Sequence, residues 1–220
     1  MLFRNREDAG QQLAEKLRSY QREDCIILAL PRGGVPVGRV IAQRLGKPLD
    51  VLVVRKIGAP GQRELAVGAI GPGDVVVWNQ DVLDYLHIQP ELLDTQIQRE
   101  KAELSRRLEL FRGKRPFPDL AGKTAIVVDD GLATGATAKA AIQAIRVLGP
   151  AKTILAVPVG ARATVSDMRQ RVDELICLEA PEYFEAVSQW YEKFPQNSDQ
   201  EVIDLLRDAW ATQAERPASL

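Results

Sequence analysis

The sequence holds one histidine, two cysteines and few aromatic residues, 5% of the chain. With only His87 available, any Ser-His-Asp or Cys-His arrangement would rest on that single residue. His87 follows Asp84-Tyr85-Leu86 in what reads as a helix end before Pro90, a place for a solvated or capping residue rather than a catalytic base. Cys25 and Cys177 each border an apolar strand-like run and form no CxxC motif. Neither a zinc site nor a redox pair is suggested, and both are expected to act as small core hydrophobes.

Neither sign of charge dominates. Lys plus Arg total 29 against 30 for Asp plus Glu, so there is no general attraction to nucleic acid or anionic membrane. Any phosphate affinity has to come from a local site. No apolar run approaches the length that crosses a bilayer, and the opening MLFRNREDAGQQ lacks the apolar core of a signal peptide. The expectation is a cytoplasmic protein with no nucleic-acid or membrane partner. Long linkers, internal repeats and low-complexity tracts are also missing.

What is present is a chain of 220 residues with 45% hydrophobic and 27% charged residues, enough for one domain with its own core. Ala9, Leu13, Ala14 and Leu17 recur at helical spacing over residues 6 to 20. Cys25 to Leu30 is a continuous apolar run, short enough for a strand buried on both faces, and it stops at Pro31-Arg32-Gly33-Gly34. Val37, Val40, Ile41 and Leu45 share a helix face from about Pro36, closed by Gly46 and Pro48. Leu49 to Val54 is a second apolar run. The charged, glycine-containing stretch from Arg55 to Glu64 is predicted to be a mobile loop, and Leu65 to Ile70 with Asp74 to Trp78 a hairpin-like excursion.

Pro90 to Phe111 is the clearest helix. Leu92, Leu93, Ile97, Leu104, Leu108 and Phe111 lie near one stripe, with Glu100, Lys101, Arg106 and Arg107 on the opposite side. Thr124 to Val128, Thr153 to Val159 and Asp173 to Leu178 are further strands, separated by helices that contain Ala140 to Leu148 and residues 163 to 171. Strands apolar throughout, alternating with helices, predict an α/β fold with a mainly parallel sheet flanked by helices. The predicted division is one domain over 1–212, with an addition at about 65–117, a hood at about 179–196 and a disordered tail at 213–220.

In open α/β sheets, ligands bind outside the carboxyl ends of the strands. After Val128 the chain reads Asp129-Asp130-Gly131-Leu132-Ala133-Thr134-Gly135-Ala136-Thr137 and runs into a helix. A small-residue turn with two hydroxyls at a helix N-terminus suits a phosphate. The adjacent carboxylates suit a diol or a metal instead. A ligand presenting both groups is a ribose 5-phosphate; the competing view of Asp129-Asp130 is a capping pair on an ordinary turn. There is no G-x-x-x-x-G-K-[ST] loop, and Gly33 to Gly38 has the wrong spacing for G-x-G-x-x-G.

Apolar residues followed by Asp-Asp and Ala-Thr-Gly-Ala-Thr resemble the 5-phosphoribosyl 1-pyrophosphate (PRPP) motif of type I phosphoribosyltransferases. The match departs at Gly131, where the family more often has an apolar or small hydroxyl residue. Pro31-Arg32-Gly33-Gly34 resembles the family's pyrophosphate loop, and the resemblance implies a cis peptide entering Arg32. Arg55 and Lys56 are placed like the family's pyrophosphate-reaching basic residues, and the stretch through Glu64, with Arg63 as a further candidate, looks like its flexible catalytic loop. The chain is most similar to uncharacterised bacterial members.

The resemblance implies Mg²⁺-dependent transfer of the phosphoribosyl group from PRPP to a nitrogen acceptor such as a nucleobase, through an oxocarbenium-like ribose, with release of pyrophosphate. It makes Asp129, Asp130 and Lys56 the catalytic candidates. Arg32, Gly33, Gly34, Arg55 and the turn Ala133, Thr134, Gly135, Ala136 and Thr137 become donor-binding, and Asp129 and Asp130 face Mg²⁺ through water and PRPP. Family members stack an aromatic ring on the acceptor base from a hood after the last strand. Here Tyr183, Phe184, Trp190, Tyr191 and Phe194 concentrate in that region, and Tyr183 and Phe184 are the stacking candidates. The stretch 65–117 suits a lid, a homodimer surface or both. The alternative from another class is a PRPP-binding regulator without useful transfer.

Overall fold

The computed structural model describes residues 2–214, without the side chains of Arg63, Glu64 and Ala214. In chain order the elements are α1 (Arg6–Lys16), β1 (Cys25–Ala29), α2 (Gly34–Leu45), β2 (Leu49–Val51), β3 (Arg55–Ala59), β4 (Gln62–Ile70) and β5 (Val76–Trp78). Then follow α3 (Gln80–Leu86), α4 (Asp94–Arg112), β6 (Thr124–Val128), α5 (Ala136–Arg146), β7 (Lys152–Val159), α6 (Arg162–Arg169), β8 (Glu174–Glu179) and α7 (Asp199–Ala214). Short 3-10 turns precede β1, β5 and α4 and lie at Val187–Trp190.

Five strands form a wholly parallel sheet in the order β2-β1-β6-β7-β8. Its apolar runs are continuous because both faces are covered. Ile27, Ala29, Ile126, Val128, Ile154 and Ala156 face one core with residues of α1, α2 and α7. The alternate residues Ile26, Leu28, Ala125, Val127, Leu155 and Val157 face a second core with α5 and α6. This is the predicted α/β architecture, with side chains on successive residues pointing to opposite faces. Burial pushes the Cys25 and Cys177 thiols up to about 11, as expected of cysteines used as packing.

A second, antiparallel sheet has the order β3-β4-β5. The segment expected to be a mobile loop is therefore largely a hairpin. Ile57 and Ala59 are buried, Arg55 pairs with Ile70 and Lys56 with Ala69, and only Pro60-Gly61 forms the turn, with Gly61 at φ 77°. Its glycines and charges hid the buried Ile57 and Ala59, because Val67 and Ile70, which share their core, lie on the next strand.

The long helix begins as a 3-10 turn at Pro90–Leu93 and is α-helical from Asp94. Ile97, Leu104 and Phe111 are buried as the stripe predicted. Its opposite side is not simply solvated: Glu100 is buried, and Arg112 at the end is buried in a two-point ion pair with Asp50 of β2, at 2.8 and 2.9 Å. His87 caps α3 in the left-handed conformation (φ 51°), donating its N–H to Asp84 O and Leu83 O. The last helix, α7, continues through Ala214, two residues into the segment read as a disordered tail; residues 215–220 lie outside the described residues. Among the described residues no helix is long and apolar enough to cross a membrane.

Candidate active site

β1 and β6 are neighbours in register, Ala29 beside Val128, so the loops that follow them start side by side at the sheet's carboxyl edge. Leu30 N–H donates to Val128 O at 2.8 Å and carries the ladder one residue into the loop. The Pro31-Arg32 peptide is cis, as the resemblance implies. The glycines after it are required by crowding. A Cβ on Gly33 would sit 1.9 Å from Asp130 Oδ2, and one on Gly34 would sit 2.6 Å from Val128 O. The glycine-arginine loop and the acidic pair thus interlock, which brings together two segments about a hundred residues apart in sequence.

Asp129 and Asp130 are half-buried at the strand end. Burial, reinforced by the negative charge of Asp130, holds the Asp129 carboxyl well above the usual carboxylate range. Burial also raises Asp130, against the pull of the Arg6 charge and hydrogen bond. Asp130 N–H donates to Asp129 Oδ1 at 2.9 Å.

Arg6 was not foreseen. It lies in the first turn of α1, only 8% exposed, and its Nε donates to Asp130 Oδ2 at 2.8 Å while Nη1 donates to Pro195 O at 2.7 Å. Its guanidinium stacks 3.8 Å over the Phe194 ring. Sequence offered no signal for it, because an arginine on an amphipathic helix reads as solvated and its partner is 124 residues away.

The phosphate-suited turn is pinned from both sides. Leu132 N–H donates to Val159 O and Ala161 N–H to Leu132 O, each at 2.9 Å, and Thr164 Oγ1 donates to Ala133 O at 2.7 Å. Gly135, at φ 69°, caps α5, whose first-turn N–H groups have no in-helix acceptors. Ala133, Thr134 and Thr137 are exposed at this opening, while Gly135 is buried and Ala136 half-buried.

The basic candidates divide. Lys56 and Arg55 both line a cleft of about 400 Å³ together with Pro31 and Thr137. Arg55 is held there by α4: its Nε and Nη2 both donate to Glu100 Oε2, at 2.9 and 2.6 Å. Arg32 reaches toward the start of α7, with Nη1 3.7 Å from Asp199 Oδ1. The side chain of Arg63 lies outside the described residues.

On the hood side, Tyr183 is 90% exposed, whereas Phe184 packs against the cluster of Phe3, Ala9, Val159 and Tyr191. The hood is fastened by the N-terminal segment: Phe3 N–H donates to Trp190 O at 2.9 Å and Glu192 N–H to Phe3 O at 2.8 Å. Tyr191 OH donates to Asp130 O at 2.6 Å, and burial pushes that phenol up, so it stays a donor. Val187 explains the unusual Gly131. A Cβ there would lie 2.6 and 2.8 Å from the two Val187 methyls, so the hood fills the space that a side chain would take.

Comparison with known proteins shows the family of the chain. The family model described as "Phosphoribosyl transferase domain" matches residues 2–194. Two curated relatives, from Mycobacterium tuberculosis strains CDC 1551 and H37Rv and each named "Putative phosphoribosyl transferase", are 47% identical over 217 residues. That match takes in 99% of this chain but 49% of theirs, so the chain spans about half the length of the curated relatives it matches. The solved structure of TT1426 from Thermus thermophilus superposes with a TM-score of 0.88 at 38% identity, covering 94% of this chain and 99% of that one.

Proposed function

The chain belongs to the phosphoribosyl transferase domain family, and we propose that its strand-edge site binds PRPP with Mg²⁺ and transfers the phosphoribosyl group to a nitrogen acceptor, releasing pyrophosphate. The observation that carries this reading is the interlock of Gly33 with Asp130, which sets an anion loop beside an acidic pair and a helix-opening turn. Each of the three suits a different part of one ligand.

The turn from Ala133 to Thr137 anchors the 5-phosphate through hydroxyls and first-turn N–H groups. Asp129 and Asp130 accept from the ribose hydroxyls and favour the positive charge that develops on the sugar as its bond to pyrophosphate loosens. Arg32, Gly33, Gly34 and Lys56 take the departing pyrophosphate, with Arg55 behind them on Glu100. Among the described residues no three acidic, histidine or cysteine side chains cluster into a metal cage. The paired carboxylates of Asp129 and Asp130 suit Mg²⁺ and would hold such an ion through water beside the diphosphate. The ion would supply positive charge to offset the negative charge of the leaving group.

The acceptor is read as a nucleobase, covered from the hood by Tyr183, the exposed aromatic. Residues 65–117 and 179–196 are read as an addition and a hood on one domain, in a cytoplasmic protein without a nucleic-acid or membrane partner; the addition suits a lid or a homodimer surface. A regulator that binds PRPP without transfer is the second reading, and Arg6 favours it, because its charge offsets part of the negative field on the sugar. The deciding experiment is pyrophosphate release from PRPP and Mg²⁺ across a panel of purines, pyrimidines and related nitrogen acceptors. Release with at least one supports a transferase; PRPP binding with no release from any supports the regulator.

A further inference from the structure

α4 belongs to a part of the chain that the donor motifs do not include, yet one of its stripes faces the donor cleft. Gln96, Arg99, Glu100 and Arg107 all line it, at a helical spacing that puts them along one side. Pro31, Lys56 and Thr137, one from each of the three donor segments, line it too. Four of the lining side chains, Arg55, Lys56, Arg99 and Arg107, are cationic and one, Glu100, is acidic, so the lining carries an excess of positive charge.

The arrangement is held in place. Gln96 Nε2 donates to Gly58 O at 3.2 Å, tying α4 to β3. The buried Glu100 carboxylate accepts from Arg55 on Oε2 and from Arg99 Nη2 on Oε1, at 3.1 Å. Burial works to raise Glu100, but these hydrogen bonds outweigh it and its carboxyl is lowered, so it stays ionised between the two arginines. One carboxylate therefore holds two guanidinium groups close together that would otherwise repel. Arg55 is the inner member, and Arg99, 64% exposed, is the outer one, with donors left to face the cleft.

We infer that Arg99 is a ligand of the diphosphate arm of PRPP and of free pyrophosphate, supplied to the donor site by α4. The inference rests on the donor-site reading above and adds to it a residue of α4 that none of the donor motifs contains. An ion-paired guanidinium on Glu100 keeps further N–H groups, so Arg99 need not leave its partner to take a phosphate oxygen.

Calorimetric titration of wild type, Arg99→Ala, Arg99→Lys and Arg106→Ala with Mg²⁺-PRPP, Mg²⁺-pyrophosphate and ribose 5-phosphate tests it. Arg106 is the matched control: it lies on the same helix, is also 64% exposed and does not line the cleft. Arg99→Ala is expected to weaken PRPP and pyrophosphate about tenfold, Arg99→Lys less, and Arg106→Ala by less than about twofold. Ribose 5-phosphate, which lacks the diphosphate, is expected to bind all four alike. Equal effects of Arg99→Ala and Arg106→Ala, or an equal loss for ribose 5-phosphate, would overturn the inference while leaving the donor site standing. Wild type that binds neither PRPP nor pyrophosphate would overturn both.

Discussion

Arg6 Nε donates to Asp130 Oδ2 at 2.8 Å, an ion pair that joins the first helix of the chain to the acidic pair at the end of β6. The same guanidinium holds Pro195 O and stacks on Phe194, so one buried arginine links the amino terminus, the hood and the proposed ribose site. An ionised carboxylate beside a second carboxylate in a half-buried site needs such a counter-charge.

Removing that counter-charge has a pH signature. Burial raises the Asp130 carboxyl and Arg6 lowers it, so Arg6→Gln is expected to raise it further. The acid-side loss of Mg²⁺-PRPP affinity then moves to higher pH than in wild type, and Arg6→Lys, which keeps the charge, moves it less. Calorimetry across a pH series checks this; coincident profiles for wild type and Arg6→Gln would mean that Arg6 is only a packing residue.

Asp129 carries a cost when ionised. Its folded-state carboxyl is raised by burial and by Asp130, so the stability it contributes is present in acid and is lost as pH rises through its folded value. Asp129→Asn should therefore raise the melting temperature of the ligand-free protein near neutral pH, with the gain shrinking toward acid pH. A lowered melting temperature at neutral pH would show that the carboxylate stabilises the fold.

Gly131 and Val187 are predicted to be coupled. Gly131→Ala places a methyl against the Val187 methyls and should cost about 1 to 3 kcal/mol, while Val187→Ala in the same chain should recover much of it. Urea unfolding of the double-mutant cycle measures the coupling, and additive losses would contradict it.

The Arg112-Asp50 pair is buried on both sides. Asp50→Ala strands the guanidinium and should cost about 3 to 5 kcal/mol, whereas replacing both partners by apolar residues of similar volume should cost much less. The comparison is again equilibrium unfolding, with an Asp50→Ala loss below that range counting against the pair.

Much of this fold could be read from the sequence because its strands are buried on both faces. Cys25 to Leu30 and Thr124 to Val128 read as strands without any alternation, and both strands are where the sequence puts them. His87 as a helix cap was legible for the same local reason. What escaped was decided by distant partners. Arg55 to Ala59 looked like a loop until β4 paired with it. Glu100 looked solvated until Arg55 came beside it, and Arg6 looked ordinary until the hood closed over it. Charged residues on amphipathic helices carry no local mark of whether they meet water or another charge.

If the loops after β1 and β6 form a PRPP site, titration of the wild-type protein with PRPP in the presence of Mg²⁺ reads it directly. The expected result is saturable binding, tighter than that of ribose 5-phosphate, and a matching rise in melting temperature by mass action. PRPP at millimolar concentration that gives neither binding heat nor a shift in melting temperature would contradict it.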